Sequence, residues 1–76
     1  MMAKNKPEIH FTEHAKMRMQ KRGIIESEVI DSIHYPDSQT NEEDKVKYTR
    51  HLPRGKIEVV TQKTHKTLNV ITVYWL

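Results

Sequence analysis

The hydrophobic period of this 76-residue chain changes at Lys45, and with it the kind of structure the chain can form. From there Val46, Tyr48, Arg50 and Leu52 alternate with Lys45, Lys47, Thr49 and His51, the period of two that sends successive side chains to opposite faces of a strand. Pro53-Arg54-Gly55 predicts a hairpin turn, after which Ile57, Val59 and Thr61 alternate with Glu58, Val60 and Gln62. A second turn at Thr64-His65-Lys66 leads into a last strand, Thr67 to Trp75. That strand is apolar at both parities, with Leu68, Val70, Ile71, Val73, Tyr74 and Trp75, which predicts cover on both faces, as for a central strand or an edge closed by a partner.

Ahead of Lys45 the spacing is helical. Glu8 to Phe11 reads as a short strand closed by Thr12, a good N-cap, and a first helix runs to Arg22 with Glu13 in its first turn. Gly23 ends it, since glycine takes the left-handed C′ conformation without strain, and Lys21 and Arg22 suit the negative end of the helix dipole. A second helix, Glu26 to His34, sets Ile25, Val29 and Ile33 on one stripe with Ile30 beside it, and Tyr35-Pro36 stops it. The acidic, polar stretch Asp37 to Asp44 reads as an exposed loop. The expected architecture is α+β: a short N-terminal strand, two helices, then a three-stranded antiparallel meander with the helices on one face. No repeat or linker divides residues 1–76, so they form one domain, with residues 1–7 as a disordered tail.

Seventy-six residues give a core of only a few kcal/mol, so a homo-oligomer or a tight partner is in keeping with the size. The absence of cysteine excludes disulfide frameworks, thiolate zinc sites and thiol nucleophiles together. No segment approaches membrane-spanning length, and the N-terminal lysines Lys4 and Lys6 have no apolar stretch behind them, which makes a cytoplasmic protein the expectation. The net charge of +3 is unevenly spread, with cations in the first helix and in Lys45 to Lys56, a distribution suited to a polyanion.

Those cations include a row at every fourth residue of the first helix: His14, Arg18 and Arg22. At about 100° per residue they lie within one arc, beside Ala15 and Met19, while Glu13, Lys16 and Gln20 gather opposite. The row is thus expected on the side where a core should be, where cations need anionic partners. The strand alternation puts Arg50 and Tyr48 on the helix-facing side of the sheet, so His14, Arg18, Arg22, Tyr48 and Arg50 are expected to converge on one cleft.

Such a group suits metal-independent RNA cleavage, in which a 2′-hydroxyl attacks the adjacent phosphate. Arginine clamps phosphoryl oxygens through its planar fork, and histidine titrates near neutrality and so can exchange a proton with the 2′- or 5′-oxygen. Tyr48 can donate to the phosphate or stack on a base. Glu58, on the neighbouring strand, is the candidate for a second acid or base. Two further readings use the same residues: a non-catalytic RNA- or DNA-binding module, and a small interaction protein in which Arg22 pairs internally with Asp31 or Glu58. His10 and His14 have the spacing of a helical zinc pair, but a helix starting at Thr12 leaves His10 outside it, so neither a metal nor a cofactor is expected.

The run His14-Ala15-Lys16-Met17-Arg18-Met19-Gln20-Lys21-Arg22-Gly23-Ile24 resembles the H-A-x-x-R-M-x-x-R-G-I signature of a family of small bacterial proteins. Tyr35-Pro36-Asp37, Val46 to Arg50 and Val70 to Tyr74 resemble that family's later blocks. The family is a domain of unknown function, similar to BrnT-type toxins and to the RelE/ParE toxin superfamily. The resemblance implies a RelE/ParE-like fold and a ribonuclease toxin acting on free or ribosome-bound RNA. It also implies a cognate antitoxin as partner, and it places His14, Arg18 and Arg22 at matched positions, with Tyr48 and Arg50 next.

Overall fold

A computed structural model describes residues 7–76. The expected tail therefore lies, apart from Pro7, outside the described residues. The elements are β1 (Glu8–Phe11), α1 (Glu13–Arg22), α2 (Glu26–His34), β2 (Ser38–Glu42), β3 (Lys45–Leu52), β4 (Gly55–Lys63) and β5 (Thr67–Trp75). The strands form one mixed sheet in the order β1-β5-β4-β3-β2. β1 pairs parallel to β5, and every other pair is antiparallel. The α+β class and the element order through both helices match the sequence, but the meander has four strands and the sheet five.

The extra strand is β2, inside the stretch expected to be a loop. All five of its residues are exposed, so neither face carries a hydrophobic alternation. Its strand character comes from the ladder to β3, with Ser38 opposite Thr49 and Glu42 opposite Lys45. The two-residue turn between them, Glu43-Asp44, lacks the glycine or asparagine that announces a hairpin. Glu43 instead takes the left-handed conformation itself, at φ 53°.

Of the two places expected for β5, an interior one is found, between β1 and β4, but its apolar run does not come from cover on both faces. A bulge opposite Val60 and Thr61 leaves Ile71 without a partner and shifts the phase of the strand. Leu68 and Val70 before the bulge, and Val73 and Trp75 after it, therefore all belong to the core face, where the first three are buried and Trp75 packs against the core. The run reads as apolar at both parities because one face is recorded in two phases.

Both helices contribute to this same core. Thr12 caps α1 as expected, accepting from Ala15 N at 3.1 Å, and its hydroxyl donates to Val70 O at 3.0 Å, tying the helix start to β5. Ala15 and Met19 from α1, and Ile24 and Val29 beside and within α2, meet Ile57 and Val59 of β4 and Val46 and Tyr48 of β3. Ile25, expected on the buried stripe, is 60% exposed because it is the N-cap of α2 and stands clear of the sheet. The buried hydroxyls of Ser32 and Thr61 donate to Glu28 O and Val46 O, both at 2.8 Å.

Ile57→Ala should destabilise the fold by about 2–5 kcal/mol, the cost of a fully buried aliphatic truncated in a close-packed core. Glu43→Gly should stabilise it by up to about 1 kcal/mol by relieving the left-handed side chain. Urea unfolding of both variants beside wild type checks the pair.

Candidate functional site

The α1 cations do not point into the core. Successive i,i+4 steps advance about 40° around a helix, so the row from His14 to Arg22 drifts by about 80°. Ala15 and Met19 mark the buried direction, and exposure falls along the row towards them: His14 is exposed, while Arg18 and Arg22 are half-buried. The row flanks the core seam, and its His14 end stands in solvent.

Each cation has a distinct set of partners. Arg18 Nε donates to His14 Nε2 at 3.3 Å, a contact in which the imidazole nitrogen accepts. Arg18 makes no ion pair among the described residues, so most of the donors of its guanidinium are available. Arg22 instead donates to Val73 O at 2.8 Å. β1 reaches only as far as Val70 along β5, so this guanidinium satisfies a carbonyl on the edge that β1 leaves open. The pairing of Arg22 with Asp31 or Glu58 does not form; its partner is backbone.

Tyr48 and Arg50 lie elsewhere. Arg50 donates to Tyr35 O and so closes the C-terminal end of α2 onto β3. Tyr48 is buried, which raises its phenol above the ordinary range, with a hydrogen bond to Thr61 opposing that shift. α1 rests on β5, whereas α2 rests on β3 and β4. No hydrogen bond or ion pair among the described residues joins His14, Arg18 or Arg22 to Tyr48 or Arg50. The single cleft expected for all five is therefore two separate places. The expectation failed because shared inward periodicity fixes a face of the sheet, not a position along or across it.

Glu58 is on the far face of the sheet, where it accepts from Tyr74 Oη at 2.5 Å. That hydrogen bond, together with burial, raises the Tyr74 phenol. Glu58 is thus no neighbour of His14. His10 lies in β1 and bonds to Glu8 Oε1 at 3.1 Å, so it shares no helical face with His14.

The structure shows one polar centre that the sequence did not reveal. Arg54, in the β3–β4 turn, donates to Gly23 O at 3.1 Å and to both oxygens of Glu28, at 2.8 and 2.6 Å. Its guanidinium carbon also lies 5.2 Å from the centre of the Trp75 ring. Trp75 Nε1 donates to Arg22 O at 3.0 Å, and Glu28 Oε1 accepts from Ile25 N at 3.1 Å. One side chain thus gathers the end of α1, the start of α2 and the end of β5. The ring lies so close to Gly55 that a Cβ there would stand 3.3 Å from it. Nothing in hydrophobic periodicity marks Arg54, and Glu28 in a first helical turn reads equally well as a partner of the dipole.

This centre is structural, and its chemistry is that of a clamp. Arg54 hydrogen bonding holds the Glu28 carboxyl below its ordinary value of 4.5, with the Ile25 N–H acting in the same direction and partial burial opposing. A carboxyl lowered on folding adds stability above its ordinary value, and that contribution is lost as pH falls through the lower folded value. Glu28→Gln should therefore flatten the acid limb of a stability–pH curve. Arg54→Ala should cost about 1–2 kcal/mol at neutral pH, from the paired hydrogen bonds and the ring contact. Arg54→Lys should not restore it, because an ammonium cannot make the same forked contacts. Thermal melts across the acid range test all three.

The family model described as a domain of unknown function, DUF4258, matches residues 11–75. No curated protein and no solved structure matches the chain. No helix among the described residues is long and apolar enough to cross a membrane.

Proposed function

We propose that this chain, which belongs to the DUF4258 family, is a toxin-like, metal-independent ribonuclease module in which His14 and Arg18 form the working pair. The observation that carries this reading is the half-buried Arg18 guanidinium, without an ion pair among the described residues, beside an exposed histidine on a helix flank that also carries Lys21. Arg18 can turn its remaining donors to a phosphate without leaving the imidazole. His14 can exchange a proton with the 2′-nucleophile or the 5′-leaving oxygen. Transesterification of this kind leaves a 2′,3′-cyclic phosphate and a free 5′-hydroxyl.

Arg22, Tyr48 and Arg50 support the reaction indirectly under this reading, since each is already engaged in holding the fold. The α+β order of helices on a sheet and the H-A-x-x-R-M-x-x-R-G-I run support a RelE/ParE-like toxin, with a cognate antitoxin as its protein partner in a cytoplasmic setting. A second reading, a module that binds RNA without cutting it, is favoured by one observation. No second acid or base contacts His14 among the described residues.

Purified wild type should cleave RNA in the presence of a chelator and leave 2′,3′-cyclic ends. His14→Ala should slow cleavage by about 10²-fold or more while melting like wild type, and Arg18→Ala should weaken RNA binding as well as cleavage. Salt-sensitive binding with no cleavage by wild type would replace this reading with the binding module.

A further inference from the structure

One edge of β5 is paired with β4, and the other is only half taken. β1 runs beside it as far as Val70 and then turns away through Thr12 into α1. Beyond that point one hydrogen bond fixes the phase of the backbone. Leu76 N donates to Lys56 O at 2.8 Å, so Leu76, and with it Tyr74 and Thr72 at the same parity, turn their N–H and C=O groups to β4. Val73 and Trp75 therefore turn theirs outward, and Arg22 takes the outward carbonyl of Val73. The N–H of Val73 and both main-chain groups of Trp75 meet no strand among the described residues.

This open stretch runs along the cationic flank of α1. The helix starts beside Val70, where Thr12 N and Oγ1 donate to Val70 O, and ends beside Val73 and Trp75, where Arg22 makes its two contacts. Because Arg22 reaches the outward carbonyl, its side of α1 is the side turned to the open edge, and Arg18 and His14 follow on that flank. Four residues of helix advance about 6 Å, and alternate residues of a strand about 6.6–6.8 Å. A strand laid on this edge thus brings every second side chain past the row at nearly the row's own spacing. Carboxylates at those positions supply the anion that Arg18, without an ion pair among the described residues, lacks.

We infer that the open edge of β5 receives an acidic extended segment of a protein partner, which adds to the sheet beside Val73 and Trp75 and sets alternate carboxylates along the Arg18 flank. Main-chain hydrogen bonds hold a strand of this kind, and its side chains select it. The stretch from Ile71 to Leu76 spans roughly 17 Å. β1 closes one end of it, which suits a single segment rather than the margin of another sheet. A partner seated on Arg18 excludes an RNA phosphate from the same guanidinium; that exclusion, unlike the docking, rests on the RNA reading of the α1 pair.

The probe is an eight-residue peptide of alternating valine and glutamate, titrated into the full chain with amide exchange followed by NMR, beside a valine–lysine peptide of the same length. The glutamate peptide should protect the Val73 and Trp75 amides and displace a short single-stranded RNA, whereas the lysine peptide should do neither. Arg18→Ala should weaken its binding about two- to fivefold. N-methylation of whichever alternate set of its residues turns to β5 should abolish binding, and methylation of the other set should leave it. If both peptides bind alike, if neither binds, or if both methylated sets behave alike, the docking is overturned, and RNA binding by the same protein then leaves the RNA reading standing. If the Val73 amide is protected without peptide, increasingly with protein concentration, a second copy fills the edge and the inference falls. If the glutamate peptide protects both amides but RNA does not bind, the docking stands and the RNA reading alone falls.

Discussion

The arrangement of this small fold depends on the contact between the β3–β4 turn and the corner joining the two helices. Helices of 9 and 10 residues are too short to persist alone, so tertiary contacts must hold each of them. The apolar seam of Ala15, Met19 and Val29 supplies the burial. Arg54 supplies the geometry, since it bonds the last carbonyl region of α1 at Gly23, the carboxylate that starts α2 at Glu28, and the ring face of Trp75 at the end of β5. Trp75 returns a hydrogen bond to Arg22 O, which closes the set.

Anchoring the helices at that end fixes two features of the surface. α1 is fixed so that its cationic row slants from Arg22, engaged with the edge of β5, to His14 in solvent. Towards the far end of the sheet, Gln39, Asn41 and the largely buried Tyr48 border a groove. Four arginines thereby divide their work. Arg22, Arg50 and Arg54 satisfy backbone carbonyls or a carboxylate, and Arg18 has only a histidine among the described residues.

Much of this was legible in the sequence, for physical reasons that can be located. Thr12 and Gly23 bounded α1 because caps are local chemistry, and the alternations from Val46 to Leu52 and from Ile57 to Thr61 marked β3 and β4 because one of their faces is buried. β2 was hidden because a strand with both faces exposed has no alternation, and its turn used Glu43 in place of glycine. The phase of β5 was hidden because the bulge at Ile71 is created by pairing with β4. For the site, periodicity placed His14, Arg18 and Arg22 in one row along α1. It could not show that Arg50 and Tyr48 belong to a different helix contact, nor that a turn arginine would hold the helical corner.

If Arg18 serves a ligand while Arg54 serves the fold, melting temperature and RNA affinity measured side by side in Arg18→Ala and Arg54→Ala separate the two roles. Arg18→Ala should melt like wild type and bind RNA more weakly with a shallower salt dependence, whereas Arg54→Ala should melt lower and keep its salt dependence. An Arg18→Ala protein that melts lower yet binds RNA as wild type does would overturn this division of roles.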